Sequence, residues 1–307
     1  MILAAPLQGY TEAPWRHYHR QIYGGVDFYY MPFMRVEGQE VRPKDIRDLN
    51  SKLNADTPVV PQIIFKDISE FQILVDAIAA NGYSELDLNL GCPFPPQMNR
   101  GRGCDAVHNA RLLRETAELM AKEYTSIKFS IKMRLGAERP DEWRQTIDII
   151  NSMSLKHVTL HPRIGSQHYS GELHLDQFSD FQKECTHPLI FNGDILTISQ
   201  ISEIRRNFPD IKGVMLGRGL LSRPSLAIEY ISGEEWPREL RIAKLLEFHA
   251  LLFRHYGSTL CGEAQILSKI KPFWDYLEAE IGHKPAKAIR KATTLTKYHI
   301  ALNTITP

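Results

Sequence analysis

Eight short apolar runs punctuate the chain, and each gives way to a polar or charged residue. They read Ala4-Ala5-Pro6-Leu7-Gln8, residues 27–33 leading to Arg35, Val59-Val60-Pro61-Gln62, Leu86-Asp87-Leu88-Asn89-Leu90-Gly91-Cys92-Pro93, Ile131-Lys132-Met133-Arg134, Thr159-Leu160-His161-Pro162-Arg163, Ile190-Phe191-Asn192-Gly193-Asp194 and Met215-Leu216-Gly217-Arg218-Gly219. Continuous aliphatic runs are the pattern of parallel strands buried on both faces. Segments with helical spacing alternate with them, over residues 13–23, 69–81, 107–124, 142–153, 175–185 and 197–208. Asn81-Gly82 is a stop for the second of these, and Thr197 and Ser199 are N-cap candidates for the last. Strand and helix alternating eight times predict a closed (β/α)8 TIM barrel. An open doubly wound sheet calls for a glycine-rich turn after an early strand, whereas the first run here ends in Pro6-Leu7-Gln8-Gly9. Chemistry in such barrels sits at the rim where the strands end. The polar terminators, spread over about two hundred residues, are therefore expected to converge in space.

The alternation breaks at Ser232-Gly233-Glu234-Glu235-Trp236-Pro237, which reads as a linker. Beyond it only helical spacing remains, over residues 238–255, 261–281 and 285–298. The expected organisation of the 307 residues is an α/β catalytic barrel over 1–235 and an all-helical C-terminal domain over 236–307. Charge is divided along the same line. Residues 237–307 carry 11 lysines and arginines against 6 aspartates and glutamates, a net of +5, while the remainder has a net of −4. A basic helical region beside a near-neutral barrel fits an anionic partner larger than a metabolite, or simply a solvated helical surface. No run approaches the roughly 18 apolar residues of a membrane span, and the N-terminus lacks a basic leader, so a cytoplasmic protein without membrane association is expected. The four cysteines are scattered with no CxxC pair, which points to reduced thiols and no metal site. No segment calls for an obligate protein partner.

Two kinds of chemistry stand at the predicted rim. Asn192-Gly193-Asp194 and Gly217-Arg218-Gly219 follow the last two strands, where barrels commonly bind phosphate, and Arg218 adds a bidentate cation. Two tight turns with an exposed arginine are the plainer alternative. The second group is a polar ring of Gln62, Asn89, Lys132, Arg134 and His161. A lysine inside an apolar strand is costly without an anionic or polar partner. A phosphorylated cofactor with a flat, electron-accepting ring supplies one; for His161 a ligand contact is favoured over a structural histidine. Cys92 leaves strand four between Gly91 and Pro93. An ordinary thiol, with a pKa near 8.5, is mostly protonated at neutral pH and can serve as an acid as well as a nucleophile.

The string Asp87-Leu88-Asn89-Leu90-Gly91-Cys92-Pro93 resembles the hallmark of the flavin-dependent tRNA-dihydrouridine synthases. The other motifs follow in the same order: Ala5-Pro6-Leu7-Gln8-Gly9, Gln62, Lys132-Met133-Arg134-Leu135-Gly136, His161-Pro162-Arg163 with Gln167 and Tyr169, Asn192-Gly193-Asp194 and Gly217-Arg218-Gly219. The likeness spans about residues 3–225 and is specific as a set. Among the bacterial branches the C-type is nearest, with Arg35 matching a substrate-contacting arginine. The resemblance implies FMN in the barrel mouth, NADPH as electron source and tRNA as partner. Pro6, Leu7 and Gln8 line the isoalloxazine in this reading, Gln62 and Lys132 bond its polar edge, and His161 lies beside it. Asn192, Gly193, Asp194, Gly217 and Arg218 hold the ribityl phosphate. A D-loop uridine, flipped from the tRNA, receives hydride from flavin N5 at C6 and a proton from Cys92 at C5, with Asn89 and Arg134 holding the uracil.

Three departures from the family pattern stand near the RNA side. The loop Phe94-Pro95-Pro96-Gln97-Met98-Asn99-Arg100-Gly101-Arg102-Gly103 brings two arginines where the family often has a lysine and small residues. Strand two lacks the usual acidic residue, and Ile164 replaces a usual threonine. These bear on the RNA target rather than on the flavin chemistry. The alternatives are a flavin barrel acting on a free pyrimidine or other small molecule, such as a dihydroorotate-type oxidoreductase, and a non-catalytic RNA-binding barrel without a yellow cofactor.

Overall fold

All eight apolar runs form parallel strands, and the ring they make closes on its third member. In the computed structural model, which describes residues 1–306, the strands are β1 (Ile2–Ala4), β2 (Phe28–Tyr30), β3, β4 (Glu85–Leu90), β5 (Lys128–Gly136), β6 (Leu155–Ile164), β7 (Leu189–Asn192) and β8 (Gly213–Leu216). Strand β3 is split by Pro61 into Val59–Val60 and Gln62–Ile63. Its first half pairs with β2 and its second with β4, while the rest run in the order β2-β1-β8-β7-β6-β5-β4. Proline has no N–H to give the ladder, so it stands where the strand changes partners; its carbonyl still accepts from Asp87 N at 2.9 Å.

Strands β5 and β6 run further than the apolar pattern predicts, over nine and ten residues. Arg134 and His161 lie just inside the strand ends, as expected, and Arg163 lies inside β6 with them. Alternation along a strand turns every second residue to one face. Leu86, Leu88, Leu90, Ile131, Met133, Val158 and Leu160 face the helices and join the large apolar core. A separate small cluster of Leu3, Ala5, Tyr30, Val60, Ile190 and Met215 comes from β1, β2, β3, β7 and β8. Register places the intervening polar residues of β3 to β6 in layers: Gln62 beside Asp87 beside Ser130, then Asn89 beside Lys132 beside Thr159, then Arg134 beside His161. One side of the barrel is thus apolar within and the other polar.

The surrounding helices follow the expected spacing to within a few residues, with Ala13–Ile22, Ile68–Ala80, Ala110–Lys122, Leu175–Glu184 and Ile198–Asn207. Thr197, rather than Ser199, caps the last, in a capping box with Gln200. Residues 142–153 divide into a 3-10 turn, Glu142–Gln145, and a short helix, Ile147–Ser152. After β2 the chain adds an antiparallel hairpin, Val36–Glu37 with Glu40–Val41, and a helix, Pro43–Leu49.

The tail is helical throughout, in more pieces than the three expected: Arg238–Thr259, Glu263–Ile270, Glu278–Ile281, His283–Lys291 and Leu295–Leu302. Pro272 explains the break after Ile270, since a 3-10 turn, Lys271–Trp274, replaces helix there. Thr294 explains the last start by accepting from Lys297 N. Phe248 packs its ring against Trp15, His19 and Tyr23 of the first barrel helix region, at 5.9, 6.1 and 5.9 Å between centroids. Apolar residues of barrel and tail accordingly belong to one core.

Candidate active site

A cavity of about 530 Å³ opens at the C-terminal ends of the strands. Pro6, Leu7, Gln8, Arg35, Asn89, Cys92, Lys132, Arg134, His161, Asn192, Gly193, Asp194, Gly217 and Arg218 all line it, so the residues predicted from seven separate strand ends do meet. Gln62 is the exception. It is fully buried below the cavity, where its Nε2 donates to Asp87 Oδ2 at 2.7 Å and its Oε1 accepts from Asn89 Nδ2 at 2.7 Å. Each end of the Gln62 amide is thus engaged once within the protein, which leaves its second N–H and second lone pair for the cofactor edge it is expected to bond.

Asn89 also does more than the sequence suggested. Its Oδ1 accepts from Gly91 N at 3.1 Å and Cys92 N at 2.9 Å, which fixes the turn that carries the thiol. Only part of its Nδ2 remains for a cavity ligand. From the other side Cys104 N donates to Cys92 O at 3.1 Å. Gly103 (φ +65°) lies so close that an added Cβ would come within 2.5 Å of Cys92 O. Cys92 is thus gripped by strand β4 and by the 3-10 segment Gly103–His108. Burial pushes its thiol above the ordinary range, only partly offset by the Phe94 backbone, Arg134 and Lys132. It therefore remains an S–H donor at neutral pH.

The Lys132 ammonium has no hydrogen bond or ion pair among the described residues, although it stands in the cavity wall. Burial, helped by Arg134, lowers its pKa to about 8 against the pull of Asp87. Burial raises Asp87 to about 6, opposed by bonds from Gln62 and Ser130 and by Lys132. His161 is held neutral, first by burial and then by Arg134, Lys132, Arg163 and Arg218 around it. Arg163 Nη1 lies 3.5 Å from His161 Nε2. A guanidinium only donates, so in this long contact Nε2 can take part only as an acceptor.

On the far wall Asp194 bridges two arginines, Arg163 and Arg218, the latter at 2.6 Å. Burial acts to raise its pKa, yet the two guanidiniums win and hold it below the usual carboxylate range. The ionised Asp194 side chain thus pairs with Arg218, another of the residues expected to hold the phosphate. Gly193 matters by absence: an added Cβ would press on His161 Cδ2 at 3.2 Å and Leu173 Cδ2 at 3.0 Å. Its φ of +148° is a conformation other residues rarely adopt. Arg134 Nη1 donates to Ile164 O at 2.8 Å, and Arg134 and Arg218 approach the Tyr169 ring at 5.3 and 4.7 Å from its centroid. Arg35 is tied to Glu37 at 2.8 Å while its Nε is buried without a partner.

Pattern reading missed the aromatic mouth. Tyr10, Phe33, Phe94, Tyr169 and Tyr276 line the cavity, and Phe94 is 57% and Tyr169 49% exposed. Tyr276 comes from the tail, next to Asp275, which accepts from Tyr10 Oη at 3.1 Å. Only Tyr169 had a signal, through its place after the histidine motif. Of the two loop arginines, Arg102 is buried against Glu70, Gln97 and Val36 O and does not face an RNA side; Arg100 is exposed.

The residues present suit a flavin phosphate. The unpaired Lys132 ammonium and the neutral His161 face one wall, and Arg218 stands with the open glycine backbone of Gly193 and Gly217 on another. The family model described as Dihydrouridine synthase (Dus) matches residues 2–295. A tRNA-dihydrouridine(20a/20b) synthase of Saccharomyces cerevisiae is 28% identical over 74% of this chain, which spans 62% of that longer protein. A probable tRNA-dihydrouridine synthase 2 of Bacillus subtilis is 25% identical, with 82% of this chain and 78% of that one covered. Among solved structures, the old yellow enzyme of Trypanosoma cruzi superposes with a TM-score of 0.55 at 9% identity, covering 77% of this chain and 88% of its own. Morphinone reductase gives 0.53 at 10% identity, with 76% and 86% covered. At that identity the likeness is one of fold.

Proposed function

The chain belongs to the dihydrouridine synthase family, and on that premise we propose that it reduces a uridine of tRNA to 5,6-dihydrouridine, with FMN in the cavity and NADPH as electron source. The observation that carries this reading is the convergence of Cys92, Lys132, Arg134, His161 and Arg218 on one cavity at the strand ends. Bound there, FMN supplies the hydride for C6 of the uracil.

The chain's own residues do the rest. Cys92, kept protonated by burial, gives its proton to C5 as that carbon gains negative charge. Arg134 and the free N–H of Asn89 hold the uracil oxygens. Lys132 offsets negative charge on the ring's polar edge, and neutral His161 lies beside it without adding a further cation. Arg218, aimed by Asp194, takes the ribityl phosphate together with the backbone of Gly193 and Gly217. The aromatic mouth offers stacking surfaces to a base drawn out of the RNA. Residues 1–235 form the catalytic unit in this proposal, and the basic helices of 236–307 grip the tRNA backbone.

Purified protein is expected to be yellow, and to oxidise NADPH faster when given tRNA that lacks dihydrouridine. Mapping dihydrouridine across the tRNA of a strain lacking the gene identifies the position. Turnover of free uridine or orotate with no response to tRNA would instead support the small-molecule reading. The basic tail and its Tyr276 at the cavity speak against that alternative.

A further inference from the structure

Beneath the cavity the buried polar layer forms a single directed chain. Ser130 Oγ donates to Asp87 Oδ1 at 2.6 Å, and Gln62 Nε2 donates to Asp87 Oδ2 at 2.7 Å. Asn89 Nδ2 then donates to Gln62 Oε1 at 2.7 Å, and Cys92 N donates to Asn89 Oδ1 at 2.9 Å. Asp87 and Gln62 are completely buried and Asn89 is 8% exposed, so no solvent competes for these bonds.

The chemistry of each group dictates the next. An ionised carboxylate can only accept, so it draws the NH₂ end of Gln62 toward itself. That leaves the Gln62 oxygen facing Asn89 and obliges Asn89 to present its own NH₂. The Asn89 oxygen is thereby turned to the Cys92 amide. Reverse any one amide and an N–H meets an N–H, at the full cost of unsatisfied buried donors. Asp87 is the one member that cannot be reversed, because its two oxygens are equivalent.

We infer that Asp87 and Gln62 are positioning residues for Cys92, acting through Asn89 to fix the turn that aims the thiol. Neither touches the reacting atoms. Gln62 thus serves the acid of the reaction from one layer below. The inference rests on the reading of Cys92 as proton donor, but the geometry it predicts can be measured without turnover.

Two substitutions test it. Asp87→Asn keeps size and replaces the acceptor-only end by an amide that fits either way round, so the imposed direction is lost. Gln62→Met keeps volume and removes both bonds. Thermal melting and FMN retention first establish which variants fold, and either one suffices. The first readout is the alkylation rate of Cys92 by iodoacetamide in flavin-free protein, located by peptide mass. It is expected to rise several-fold as the turn loosens; an unchanged or slower rate overturns the inference. The second compares half-reactions. Oxidation of the reduced enzyme by tRNA is expected to slow by about tenfold or more, as misplacement of a reacting group does. Flavin reduction by NADPH falls by a much smaller factor. Equal losses in both halves describe a merely structural role and overturn the inference. If the wild-type protein never reduces tRNA while Cys92 alkylation still responds to both variants, the proposed function fails and the positioning chain stands.

Discussion

At the scale of single residues, the site is a group of cations kept apart by burial and one carboxylate. Cys92 contributes a thiol that stays protonated. Cys92→Ala is expected to leave FMN bound and reducible while dihydrouridine formation drops by about 100-fold or more, the usual worth of a general acid. Nucleoside analysis of treated tRNA checks this, and undiminished product removes Cys92 from the mechanism. Lys132, lowered to about 8, gives a pH dependence whose sign is fixed. Below that pH the ammonium is charged and attracts an electron-rich ring edge; above it the charge is lost. FMN affinity is expected to weaken by up to about tenfold per pH unit above 8, the limit for one coupled proton. Fluorescence titration of Lys132→Met is expected to give a weaker affinity that stays flat from about pH 7 to 9.5. Several of these residues could be picked out in the sequence because charged residues inside aliphatic runs have few other uses. Asp87 was visible in the same way, two residues before Asn89 and hence on its face of the strand. What the string could not convey was depth: Gln62 and Asn89 are both amides at strand ends, yet one reaches the cavity and the other lies below it.

At the scale of elements, strands carry the site and the loops after them aim it. The strand positions could be read because burial on both faces leaves little room for polar residues. The lengths of β5 and β6 could not, since their last residues are as polar as a loop and are held in register by neighbours. The 3-10 segment Gly103–His108 shows how tight the loop packing is. Gly103→Ala combines a positive φ with a Cβ within 2.5 Å of Cys92 O. We expect a loss of about 2 kcal/mol or more from backbone strain and steric overlap together. A lowered Tm should accompany it, with slower tRNA reduction at full flavin content. A Tm equal to wild type would mean that the segment yields easily and does not grip the cysteine.

At the scale of the whole molecule, barrel and tail are held together as one piece. Glu12, at the start of the first barrel helix, pairs with Lys44 and with Lys269 of the tail, each at 2.6 Å. The linker is pinned as well, since Glu229 accepts from Trp236 N and Arg241 donates to Trp236 O. The tail's charge was readable from composition, but the availability of each charge was not. Arg290 is paired with Glu278, and Lys271 is spent on the carbonyls of Arg290 and Ala292. Lys287 and Lys291 have no such partner among the described residues. Reversing both to Glu is expected to weaken tRNA binding and flatten its salt dependence, since fewer counterions are released. NADPH oxidation without tRNA serves as the control. Affinity that does not change would mark this surface as merely solvated.

Tyr276 enters the catalytic cavity from the far end of the chain, seated on Tyr10 in an edge-on contact of 5.4 Å. A barrel cut free of its tail is therefore not a smaller enzyme but one with a piece of its mouth missing. Anyone building chimeras, trading one relative's tail for another's to redirect the choice of nucleotide, must carry the matching stretch around Tyr10 and Glu12 across the join.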